Sequence, residues 1–148
     1  MEDQSNPISG ACLCGALRFE VRLPSRFCAH CHCPDCRHAH GAAFVTWAGF
    51  REEQVRILTG ENFLTRYLTD TGATRSFCKR CGSTLFYEGP RWPGEIHVAL
   101  ANLEGPIDRE PSSHVYVDDR ASWWHITDTL PQYGGASGME LKNYERST

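Results

Sequence analysis

Seven of the eight cysteines in this 148-residue chain fall into three tight groups, and that grouping constrains the fold more than any other feature. Cys12-Leu13-Cys14 comes first, Cys31-His32-Cys33-Pro34-Asp35-Cys36 second, and Cys78-Lys79-Arg80-Cys81 third; only Cys28 stands outside. A chain of this length buries roughly 70% of the surface it exposes when unfolded, so its core can stand without covalent staples. Close cysteine pairs then point to metal binding rather than to disulfides, with buried free thiols as the plainer alternative.

The compartment expected from the sequence agrees with that reading. No run of about 18 apolar residues exists, so no membrane-spanning segment is expected. The start, Met1-Glu2-Asp3-Gln4-Ser5-Asn6, has neither the basic nor the apolar region of a secretory signal. A cytoplasmic, reducing environment is therefore expected, and there thiols stay available to metals.

Spacing sets the geometry that each group can reach. On an extended chain alternate side chains share a face, so Cys12 and Cys14 can grip one ion together. Cys78-x-x-Cys81 bends back on itself, and Gly82 relieves the turn. Two such pairs make an ordinary tetrahedral zinc site, although Cys12 and Cys14 pairing with Cys31 and Cys33 is also compatible with the spacing. Cys31, Cys33 and Cys36 offer three sulfurs from one stretch, which leaves a fourth position open, as in catalytic zinc sites. In an extended segment Cys28, His30 and His32 have the opposite parity to Cys31 and Cys33 and point away. A turn at Ala29-His30 would instead bring Cys28 in as a fourth ligand.

The rest of the pattern is mainly β. Leu17, Phe19 and Val21 alternate with Arg18, Glu20 and Arg22 across residues 16–23, which reads as a half-buried strand. Residues 27–33 read as extended. Pro34 suits a first helical position, with Cys33 as N-cap, Asp35 at the positive end and Gly41 as the stop. The helix end should lower the thiol pKa of Cys33 and Cys36. Further strands are expected at 44–50, 55–58, 63–69, 74–78, 84–88, 95–101, 114–117 and 122–126. The expected organisation is a flexible lead over residues 1–7, one zinc-binding domain over 8–133, and a mobile tail over 134–148.

Charge narrows the partners. The formal net charge is −3, and seven thiolates on two zinc ions would add about three more negative charges. Arg75, Lys79 and Arg80 form the densest basic cluster, which reads as solvated surface. Nucleic acid is not expected as a partner, and neither is a membrane.

Three stretches together carry a family resemblance. They are Gly10-Ala11-Cys12-Leu13-Cys14-Gly15-Ala16-Leu17, His30-Cys31-His32-Cys33-Pro34-Asp35-Cys36-Arg37 and Phe77-Cys78-Lys79-Arg80-Cys81-Gly82. With Trp123-Trp124-His125-Ile126-Thr127-Asp128-Thr129-Leu130-Pro131 near the end, they resemble the glutathione-dependent formaldehyde-activating enzyme family, which also includes centromere protein V. The likeness covers roughly residues 8 to 133. It implies a single-domain β-tent zinc fold with short helical turns and two zinc ions per chain. Cys12, Cys14, Cys78 and Cys81 would hold the structural ion. Cys31, Cys33 and Cys36 would hold the second, where glutathione can bind. The implied reaction is that of a carbon–sulfur lyase of the S-hydroxymethylglutathione synthase type.

The chemistry of the residues is compatible with that reaction. A thiol kept ionised but electron-rich suits attack on a small aldehyde such as formaldehyde. His40, four residues after Cys36, would share its helix face and could carry a proton; an exposed histidine at a helix end is the plainer reading. Arg37 could bind a glutathione carboxylate or simply lie at the surface. Phe44 and Trp47 read as core packing or pocket wall, and His125 as structural. Two other classes stay open: a non-catalytic zinc module that binds a protein partner, and a thiol redox protein using Cys78 and Cys81.

Overall fold

The computed structural model describes residues 6–142. In chain order its elements are β1 (Ile8–Ala11), β2 (Arg18–Val21), β3 (Phe27–Cys31), α1 (Pro34–His40), β4 (Val45–Arg51), β5 (Val55–Thr59), β6 (Leu64–Leu68), β7 (Thr74–Cys78), β8 (Thr84–Glu88), β9 (Glu95–Ala99), β10 (His114–Val115), β11 (Tyr133–Gly134) and β12 (Glu140–Leu141). The fold is mainly β, as the alternating pattern implies, with a single α-helix among the described residues. No helix among them is long and apolar enough to cross a membrane. Residues 6–27 and 47–110 form one compact unit, and residues 28–46 with 111–142 form another.

The larger unit is built from antiparallel strands. β1, β2 and β5 make a three-stranded sheet in that order, with Gly10 opposite Phe19 and Phe19 opposite Ile57. The other strands run β4-β9-β8-β7-β6, each antiparallel to its neighbour. Phe19, Leu17, Phe50, Leu85 and Val98 are wholly enclosed and form the centre of its core. The Phe19 and Phe86 rings meet edge to face at 4.9 Å, and each buried side chain of this size stabilises the fold by roughly 1.5–3 kcal/mol. On β9 Val98 is buried on one face and His97 on the opposite face. His97 is enclosed by Phe27, Tyr87 and Trp92. A strand covered on both faces cannot show period-two alternation.

The smaller unit carries α1 and the parallel pair β3 and β10, in which His114 lies opposite His30 and Val115 opposite Cys31. α1 begins and ends where the capping residues dictate. Cys33 is extended at the N-cap, and its sulfur accepts a hydrogen bond from the Cys36 N–H. Gly41 ends the helix at φ 59°, a left-handed conformation that costs other residues roughly 1 kcal/mol or more.

Two expectations need correction. Residues 122–126 form no strand. The chain turns there, with the Trp124 N–H bonded to the Ala121 carbonyl at 3.0 Å, and Trp123 and His125 are exposed. β-propensity had no strand partner to realise it. The stretch from 134 to 142, expected as mobile tail, contributes the small β11–β12 hairpin, in which Tyr133 pairs with Leu141. The lead over residues 1–5 and the last six tail residues lie outside the described residues.

Candidate metal centres

The first sulfur group is assembled from two bent segments of the larger unit. Past the end of β1 the chain turns tightly: the Gly15 N–H bonds to the Cys12 carbonyl, and the Cys12 N–H to the Leu17 carbonyl. The end of β7 makes the second bend, where the Gly82 N–H bonds to the Cys78 carbonyl at 2.7 Å and Gly82 adopts φ 82°. Ser83 ties the two together, because its hydroxyl oxygen accepts from the Leu13 N–H at 2.8 Å. The sulfurs of Cys12, Cys14, Cys78 and Cys81 all lie within 4.8 Å of one another. The Cys12 and Cys14 sulfurs lie 3.6 Å apart, and those of Cys14 and Cys78 4.0 Å. A tetrahedral zinc with sulfurs at about 2.3 Å needs edges of about 3.8 Å, so this spacing fits the ion. Of the two pairings that the spacing allowed, Cys12 and Cys14 lie with Cys78 and Cys81.

The second group sits in the smaller unit, where β3 runs into α1. Cys31 ends the strand, Cys33 caps the helix and Cys36 lies in its first turn. Their sulfurs also lie within 4.8 Å of one another, with Cys31 and Cys36 at 3.6 Å. Cys31 and Cys36 are buried and Cys33 is half-buried. Cys28 is fully buried on β3 and lies outside this group. Three sulfurs this close together, with no fourth joining them among the described residues, fit an ion with one open position.

Thiol acidity follows the crowding, and here the helix-end expectation fails for Cys33. Its bond with Cys31 lowers the pKa, but the Cys36 sulfur and burial outweigh this and push it up to about 11. Cys31 is raised further, through its bonds with Cys33 and Cys36 and through burial. A helix end is a partial charge and cannot support several thiolates within one cluster. In the first group the Ser83 hydroxyl and N–H bring Cys81 down to about 5. There the Ala16 N–H lowers Cys14, but burial and the neighbouring sulfurs leave it at about 11. Both clusters have the donor set of a dication site, since only a compensating positive charge can ionise every sulfur together.

The other residues singled out from the sequence fall in several places. His40 is half-buried at the end of α1, four positions after Cys36. Arg37 turns inward, its Nε donating to the His32 carbonyl at 3.4 Å. Phe44 packs in the smaller unit against His30, His32 and Trp124. Trp47 is buried in the larger unit beside Tyr87.

Sequence reasoning missed a group of imidazoles. The rings of His30 and His32 lie 4.8 and 5.1 Å from that of His114, centroid to centroid, and Asp128 joins His114 from the loop beyond Trp124. Burial lowers the pKa of His32 to about 4, with the charges of His114 and His30 adding to it; His30 is lowered too, also chiefly by burial. Partial burial works against ionised Asp128, but bonds from His114 and the Leu130 N–H hold its carboxyl below the ordinary value. The parity that turns His30 and His32 away from the sulfurs was the available signal: a buried imidazole on the far face needs polar partners.

Residues 7–119 match the family model for the glutathione-dependent formaldehyde-activating enzyme. A Halomonas elongata protein that carries this enzyme name provisionally is 28% identical over 127 residues, covering 80% of each chain. An uncharacterised lyase of Schizosaccharomyces pombe is 31% identical over 124 residues, covering 84% of this chain and 88% of that one. Among solved structures, a Rhodobacter sphaeroides protein superposes with a TM-score of 0.58 at 34% identity, over 68% of this chain and 91% of that one.

Proposed function

The chain belongs to the glutathione-dependent formaldehyde-activating enzyme family, and from that premise we propose a zinc-dependent carbon–sulfur lyase that joins glutathione, or a similar small thiol, to formaldehyde or another small aldehyde. The observation that carries this reading is the three-sulfur group of Cys31, Cys33 and Cys36, which no fourth cysteine joins. Zinc held there would supply the positive charge that keeps a substrate thiol ionised at neutral pH. In the forward direction the substrate sulfur forms a bond to the aldehyde carbon, the carbonyl π pair moves to oxygen, and that oxygen takes a proton to become a hydroxyl. The reverse reaction breaks the same carbon–sulfur bond and returns the proton to sulfur.

Residues of this chain have distinct roles in that scheme. Cys31 and Cys36, both buried, hold two ligand sulfurs away from bulk water, and Cys33 is bonded to the first turn of α1. His40 shares a helix face with Cys36 and is assigned the proton exchange with the new hydroxyl. Arg37 is assigned one of the carboxylates of glutathione; its bond to the His32 carbonyl uses one of five guanidinium N–H donors. Cys12, Cys14, Cys78 and Cys81 hold a second, structural zinc.

The test is exchange NMR on a mixture of glutathione, formaldehyde and their adduct, with the protein's zinc content measured alongside. Adduct exchange well above the spontaneous rate is expected, and Cys36→Ser should abolish the enhancement while the chain stays folded with one zinc. Equal rates with and without the zinc-loaded protein would sink the reading and favour a metal module that binds a protein partner.

A further inference from the structure

The buried imidazoles of the smaller unit have taken no part in the chemistry above, yet their bonding order is fixed by what each atom can do. His32 Nε2 lies 2.8 Å from His114 Nδ1, and His114 Nε2 lies 2.9 and 3.2 Å from the two carboxylate oxygens of Asp128. An ionised carboxylate only accepts, so His114 Nε2 carries a proton. With His114 neutral, its Nδ1 presents a lone pair, to which His32 Nε2 donates. Donation therefore runs from His32 through His114 to Asp128.

His32 depends on that chain for its orientation. Its side chain is fully enclosed, and its Nδ1 has no hydrogen-bond partner among the described residues, so the bond to His114 is the polar restraint on the ring. His32 is also the single residue between Cys31 and Cys33. Its N–H bonds to the Val115 carbonyl at 3.0 Å, and its carbonyl accepts from Arg37. His114 is anchored in turn by its own N–H to the Pro131 carbonyl at 2.9 Å. An imidazole held at both its backbone and its ring cannot pivot, and neither can the short peptide that carries two of the three sulfurs.

We propose that Asp128, His114 and His32 form a positioning chain that holds the Cys31–Cys33 segment in the geometry its metal requires. This rests on the reading that Cys31, Cys33 and Cys36 bind a metal ion, but not on the identity of the thiol or aldehyde. Asp128 fixes the His114 tautomer; without it His114 can carry its proton on Nδ1, where it would face the His32 donor. Outer partners of this kind alter metal affinity by roughly 10–100-fold when removed.

The experiment loads the full chain with Co(II) and titrates it with a competing chelator. Thiolate-to-cobalt absorption follows each group, and Cys36→Ser identifies the bands of the three-cysteine site. The four-cysteine group serves as an internal reference. Asp128→Ala should weaken cobalt binding at the three-cysteine group about tenfold and leave the reference unchanged. Asp128 is surface-accessible, with 46% of its side chain exposed, so the variant should fold. Asp128→Asn keeps a carbonyl acceptor both for His114 and for the Leu130 N–H that Asp128 also binds at 3.0 Å, and should restore most of the affinity. Equal retention at both groups, equal loss at both, or an Asn variant as weak as the Ala variant would each overturn the proposal. A wild-type chain that takes cobalt at both groups and responds to Asp128→Ala, yet forms no adduct faster than buffer, would overturn the proposed reaction and leave the positioning chain standing.

Discussion

The two sulfur groups use the same ligand type on opposite kinds of scaffold. The four-cysteine group joins Cys14 to Cys78 across 64 positions of chain, whereas the three-cysteine group draws every sulfur from the six residues from Cys31 to Cys36. A metal in the first closes a long loop, so its binding energy becomes folding energy. A metal in the second constrains little that α1 and β3 have not already ordered. Local ligation thus separates metal occupancy from the survival of the fold. A site that must admit a substrate needs that separation, and a structural site does not.

The largest expected effect breaks the first group. Cys78→Ser removes a fully buried sulfur, and structural zinc in small peptides contributes on the order of 10–16 kcal/mol at neutral pH. The variant should fail to give a cooperative thermal transition by circular dichroism, while Cys36→Ser should melt close to wild type. Similar melting of the two variants would erase the distinction between the groups. Next comes Phe19→Ala in the core that surrounds the first group. It should cost about 3–5 kcal/mol in urea unfolding and leave the metal content per folded chain at the wild-type value.

Acid should separate the two units in the other direction. His32 is enclosed as a neutral ring with its pKa lowered to about 4, against about 6.5 for an unfolded chain. A histidine depressed in this way contributes stability that is fully present above pH ~6.5 and is lost as the pH falls toward ~4. The loss is at most about 3 kcal/mol. Hydrogen exchange at pH 7 and pH 5 should show β3 and β10 losing protection before β7 and β8. The smallest effect is expected for Arg37→Gln, which keeps a donor but removes the charge. Its KM for glutathione should rise less than tenfold with kcat nearly unchanged, whereas a fall in kcat alone would move Arg37 from substrate binding to the chemistry.

Much of the scaffold could be read in advance, because the signals were local. Cys33, Pro34 and Gly41 cap and start and stop α1 through their own backbone requirements. β7 and β8 run over 74–78 and 84–88 because a knuckle punctuates them. The run at 122–126 misled because aromatic and β-branched residues form a strand only where another strand lies alongside. The β11–β12 hairpin was hidden for the converse reason: its strands are two residues each and carry almost no pattern.

What the sequence determined by itself was therefore the chemistry available within a few residues: which cysteines could converge, how the helix beside them is capped, and that strands dominate. Tertiary structure decided which distant segments met. It placed Cys12 and Cys14 with Cys78 and Cys81, left Cys28 in the core, and brought His114 and Asp128 to His32. Spacing along a chain sets which side chains can share a face, whereas partners 64 to 82 residues apart are chosen by the packing of sheets that no local pattern encodes.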